Sequence, residues 1–169
     1  MAVSMYAISV PVFRQMLGSL NEILAKAQTY CAAKNIEPGV LVTARLFPDM
    51  FALGRQVQIA CEFARGVSAR LADLAVPSND DKENSFEELM SLITRTLAFL
   101  EELNPMLFEN SEERPIVLRA GTPKEKKLVG QSYVLSYGLP QFFFHITTAF
   151  AILRHNGVEV GKRDYMGVY

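Results

Sequence analysis

The run QFFFHITTAFAILRHNG, Gln141 to Gly157, reads as the last helix of an all-helical protein. Apolar and aromatic residues fill most of it, and a glycine follows, well placed to end a helix with a left-handed residue. Residues four apart share a helix face, so Gln141 and His145 are neighbours, and Thr148 and Ile152 continue that face. His155, ten positions on from His145, points to one side. Phe142, Phe143 and Phe144 cover nearly every direction around one turn. That suits a helix with neighbours on more than one side, or one at a subunit contact.

Working outward, this helix is expected from about Gln131 to Asn156, with a kink at Pro140. Before it, "RPIVLRAGTPKEKKLVG" holds two short runs, Ile116–Arg119 and Lys126–Val129. They make a small hairpin with Gly121 and Pro123 in its turn and a solvated Lys124–Lys127 tip. Three more helices precede it. Tyr6, Val10, Phe13, Leu17, Leu20, Leu24 and Ala27 step by four and three, with Pro11 near the start and Ser4 as a cap. Leu46, Met50, Leu53, Val57, Ala60, Ala64, Val67 and Leu71 do the same, with Pro48 and Asp49 marking the start. Ser85 and Glu88 have capping-box spacing ahead of Phe86, Leu89, Met90, Ile93, Leu97 and Leu100, and Asn104–Pro105 ends that helix. The polar stretch from Val76 to Ser85 reads as an exposed loop. The fold class is therefore all-α: a single-domain four-helix bundle over residues 1–169, with a small β-hairpin between helices three and four.

Composition narrows the function classes. Half of the 169 residues are hydrophobic, enough for one sizeable core. A net charge of −1 argues against a dedicated nucleic-acid binder, which needs a basic face. No apolar run is long enough to span a bilayer, and the N-terminus lacks the marks of a signal peptide, so a cytoplasmic location is expected. Cys31 and Cys61 lie far apart and read as small buried side chains. Met16, Met50 and Met90 read as core filling. There is no GxSxG, Walker, HExxH, CxxC or GxGxxG motif.

One polar constellation remains. Asp49 and Gln56 flank the buried stripe of helix two, whereas Arg55 and Gln58 are expected to point away. Asp49, Gln56, Gln141 and His145 can thus surround a polar pocket in the bundle. In the simpler alternative, Asp49 caps a helix, the glutamines bond buried backbone or each other, and His145 is a satisfied buried histidine. A lone imidazole is not a metal site, because a catalytic zinc takes about three protein ligands.

Three segments carry a family resemblance: "SMY…VPVF…ML" at Ser4–Leu17, "FPDMF…RQVQIA" at Phe47–Ala60, and "FFFHITTAFAILRHNGVEVGKRDY" at Phe142–Tyr165. The chain resembles an uncharacterised bacterial family grouped with the DinB-like, or YfiT-like, four-helix bundles. The resemblance covers nearly the whole chain and is most specific at its C-terminal end. It implies membership of a superfamily that contains metal-dependent hydrolases and thiol transferases, often homodimeric. In the metal-binding relatives the last helix carries two histidines four apart. Alignment on "ILRHNG" places Gln141 at the first and His145 at the second. The third histidine, on helix two, has no counterpart here, and Asp49 or Gln56 stands nearest. The implied protein is a homodimeric small-molecule-binding or cryptic bundle with a degenerate metal site and no tightly bound cofactor. The alternative is a hydrolase or thiol transferase whose zinc or nickel ion is held by His145.

Overall fold

The computed structural model describes residues 4–169. Helix α1 (Val10–Lys34) buries Val10, Phe13, Leu17, Leu20, Leu24 and Ala27, the stripe set by the four-three spacing. Its start corrects the expected cap. Ser4 is exposed, and Ser9 occupies the N-cap with its hydroxyl donating to the Met5 carbonyl at 2.6 Å. A short helix α2 (Pro38–Val42) follows and buries Leu41 and Val42.

Helix α3 (Leu53–Leu71) begins later than the periodicity suggests. Pro48 sits inside a tight turn closed by the Met50 amide on the Phe47 carbonyl at 3.0 Å, and Leu53 N–H returns to the Ala44 carbonyl at 2.9 Å. These bonds take Leu46, Phe47 and Asp49 out to the surface. Proline serves a turn as well as a helix start, so the sequence signal was ambiguous.

Helix α4 (Phe86–Glu101) is capped by Ser85, whose hydroxyl accepts from Glu88 N–H at 3.2 Å. Glu88 reaches back one residue further than a standard box, accepting from Asn84 N–H at 2.8 Å. Asn104 then accepts from Met106 N–H and opens a 3-10 turn, Pro105–Phe108. Strands β1 (Pro115–Leu118) and β2 (Lys126–Val129) pair antiparallel with Ile116 opposite Leu128. Alternation turns Ile116 and Leu118 inward.

The last long helix is not uniform. It opens with one turn, α5 (Gly130–Ser132), widens into a π segment over Tyr133–Gly138, and continues as α6 (Leu139–His155). Pro140 lies in the first turn of α6, so the irregularity expected at this proline is a π segment just before it. Gly157 ends the helix at φ +88°, with Val158 N–H on the Leu153 carbonyl at 3.1 Å. Helix α7 (Lys162–Met166), which periodicity does not announce, lies on α1. Ser19 donates to the Tyr165 carbonyl at 2.7 Å, and Lys26 pairs with Asp164 at 2.5 Å.

The four long helices form a ring in which α1 meets α4, α4 meets α3, α3 meets α6 and α6 returns to α1. The most extensive contact is between α3 and α6, and the site described next lies along it. A single cluster of buried side chains, including Phe13, Phe86, Phe142, Leu53 and Leu89, fills the centre. No described helix is long and apolar enough to cross a membrane.

Candidate functional site

Two of the four expected site residues meet directly. His145 on α6 is 6% exposed, and its Nδ1 lies 2.7 Å from Oε1 of Gln56 on α3. The Gln56 amide nitrogen donates to the Phe51 carbonyl at 3.0 Å, which leaves the amide oxygen as the acceptor. His145 must then carry its proton on Nδ1, and Nε2 keeps a lone pair. That Nε2 makes no hydrogen bond to the described residues. Burial, and then the positive charge of Arg55, push the His145 pKa down to about 4. The ring is therefore neutral at physiological pH.

The other two residues stand apart. Gln141 is half-buried and bonds no described residue of this group. Asp49 is exposed on the turn before α3, for the reason given above, and does not enter the site.

On the other side of Phe63 from His145 opens a cleft of about 400 Å³, which none of the four expected site residues lines. Its walls are α3, the Val76–Asp81 stretch, the end of β1 and the π segment. A row of rings joins the cleft to the histidine. Tyr133 stacks on Tyr137 at 6.0 Å, Tyr137 meets the edge of Phe63 at 5.8 Å, and Phe63 lies parallel to His145 at 6.1 Å. The π segment aligns this row. Twelve helical positions separate Tyr133 from His145, which in a regular helix puts them about 120° apart. One residue looped out by the π turn reduces this to eleven effective positions, within about 20° of the same face. A reading based on an unbroken helix from Gln131 therefore misses both tyrosines. Their four-residue spacing, between Gly130 and Gly138, was the available signal.

Two side chains expected to point away are in fact engaged. Arg55 lines the cleft and pairs at 2.9 Å with both Glu62 and Asp81, and buried Gln58 donates to the Glu83 carboxylate at 3.2 Å. The polar segment around Asp81 folds back over α3 instead of standing free, and it supplies these partners. Burial, reinforced by Asp81, raises the Glu62 carboxyl despite Arg55. Burial also opposes the Asp81 carboxylate, but hydrogen bonds from Glu62, Asn79 and Arg55 outweigh it and hold Asp81 below the usual range. At the far wall, Arg70 donates to the Gly66 carbonyl at 3.0 Å and to the Tyr133 hydroxyl at 3.3 Å.

A family model described as a domain of unknown function, DUF1993, matches residues 5–166. The chain belongs to this family. A crystal structure of a DinB family member protein from Shewanella denitrificans resembles this DUF1993 chain with a TM-score of 0.91 at 40% sequence identity. The likeness covers 97% of this chain and 92% of that one. No curated protein matches the chain. The DinB-like helical fold expected from the three sequence segments is the fold of this DUF1993 protein.

The resemblance implied a metal on the last helix, and the residues of this chain do not fit one well. Around His145 the nearest donor, Gln56, is already engaged by the imidazole itself. Asp49 lies outside, and the guanidinium of Arg55 is close enough to depress the histidine. Among the described residues, no three His, Cys, Asp or Glu side chains stand together to hold a metal. A neutral amide and one imidazole leave a divalent ion mostly dependent on water.

Proposed function

We propose that this DUF1993 chain is a cytoplasmic, homodimeric small-molecule-binding bundle whose metal position on α6 is degenerate. The observation that carries this reading is the cleft between α3 and the π segment. It is concave, walled by aromatic rings, supplied with converging polar groups and joined to a neutral histidine. A π segment costs regular hydrogen bonding, and such segments recur at functional sites. Fragment screening by thermal shift tests the reading. Hits are expected, and Tyr137→Ala, which removes the middle ring of the row, is expected to lose them. A diverse library without a single hit at millimolar concentration contradicts it.

A metal-assisted hydrolase or thiol transferase is the second reading, favoured by the unpartnered lone pair of His145 Nε2. Gln141, one turn earlier, would be the next donor on α6. Elemental analysis of untagged protein, purified without chelator, separates the two. About one zinc or nickel ion per chain, released by His145→Ala, establishes the second reading, whereas a sub-stoichiometric content is expected from the first.

A further inference from the structure

The cleft is lined by four arginines, Arg55, Arg65, Arg70 and Arg119, and they are not equivalent. Arg55 is neutralised by Glu62 and Asp81. Arg70 is tied to a carbonyl and a phenol. Arg119 is exposed beyond β1 and well hydrated. Arg65 differs from all three. It is 6% exposed, its Nε is sealed from solvent without a hydrogen-bond partner, and it takes part in no ion pair among the described residues.

A guanidinium stays charged at any ordinary pH, so burial cannot be relieved by losing a proton. Burying such a charge without a counterion is costly, and folded proteins ordinarily supply one. Here the fold supplies a cleft instead. We propose that the cleft binds a small organic monoanion, a carboxylate on an apolar or aromatic body, with the Arg65 guanidinium as its counter-charge. This rests on the reading that the cleft takes a small molecule, and adds the class.

The chemistry selects a carboxylate for two reasons. The planar fork of a guanidinium matches the two oxygens of a carboxylate with parallel hydrogen bonds. The buried part of the cleft also offers a guanidinium that no described carboxylate pairs with. Glu62 and Asp81 both pair with Arg55, whereas Arg65, the buried arginine of the cleft, joins no ion pair among the described residues. Phe63 and Tyr137, both half-buried, present ring surface for the body of the ligand, with buried Tyr133 packed behind Tyr137.

Isothermal titration and thermal shift of the full chain with benzoate, benzamide and phenyl phosphate test this. Benzoate is expected to bind saturably and raise the melting temperature. Benzamide has the same shape without the charge and is expected to bind at least about tenfold more weakly, the cost of leaving Arg65 unpaired. In Arg65→Met the benzoate response is expected to vanish, while the ligand-free melting temperature stays level or rises, because an unmatched buried charge has been removed. The proposal is overturned if benzoate gives no response, if benzamide binds as well, or if phenyl phosphate binds more tightly than benzoate. It is also overturned if Arg65→Met melts lower than the wild type or fails to fold, since Arg65 would then serve the fold. Neutral fragments that bind the cleft while benzoate does not would leave the small-molecule reading standing and remove only this inference.

Discussion

At the scale of the residue, His145 shows how position can be legible while bonding is not. Its helix face, continued by Thr148 and Ile152, places it inside, and it is buried. Its partner on α3 could be narrowed to Gln56 or Asp49 but not chosen, because the choice depends on where α3 starts. Replacing His145 with Ala removes a buried hydrogen bond and leaves Gln56 unsatisfied. A loss of about 1–3 kcal/mol is expected in chemical denaturation. A change below about 0.5 kcal/mol would contradict the buried, bonded histidine.

The pH dependence has a definite sign. The folded pKa near 4 lies below the ordinary value of 6.5, so the unfolded chain takes up the proton first. The stabilisation is complete above about pH 6.5 and declines as pH falls toward 4. In melting curves across this window, His145→Gln should flatten the decline relative to wild type, by on the order of 2 kcal/mol at the acid end. Parallel curves would show that His145 titrates normally. Cys61 makes a complementary case. Burial pushes its thiol up to about 12, and Cys31 is buried as well. Neither thiol is expected to react with a thiol reagent until the protein unfolds, so fast labelling of the native state would contradict their placement.

At the scale of the element, four helices and the hairpin could be read from spacing because each buries a stripe whose period is local. The π segment, α2 and α7 were not legible in this way. The first changes the period itself, and the other two are too short to establish one. The misreading of Arg55 and Gln58 has a different cause: their partners Asp81 and Glu83 come from a segment distant in sequence, and no local pattern reports its return. Glycines test the description of the elements. A side chain at Gly130 would place its Cβ 1.8 Å from the Ser111 carbonyl oxygen, whereas one at Gly18 would meet nothing within 4 Å. Gly130→Ala is therefore expected to destabilise by about 2–4 kcal/mol. Gly18→Ala, in the interior of α1, is expected to stabilise by about 0.5–1 kcal/mol. Equal effects in denaturant titrations would contradict the close approach at the start of the last helix.

At the scale of the molecule, the ring of helices leaves one face of the triple phenylalanine uncovered. Phe142 is fully buried, while Phe144 is 55% exposed. On this exposed ring we propose a homodimer, with the N-terminal helix and the last helix as the contact. Light scattering at micromolar concentration is expected to give twice the chain mass, and a clean monomer would contradict it. The cleft, by contrast, was invisible in the sequence as a unit. Its arginines and rings come from α3, the hairpin and the π segment, and only the packing of α3 on α6 brings them together. The most direct test of the small-molecule reading is a two-dimensional amide NMR map of the full chain titrated with the best-binding fragment. Shifts concentrated on Phe63, Gly66, Tyr133 and Tyr137, and passing along the ring row to His145, are the predicted result. Shifts elsewhere on the bundle, with these four residues unmoved at saturation, would contradict it.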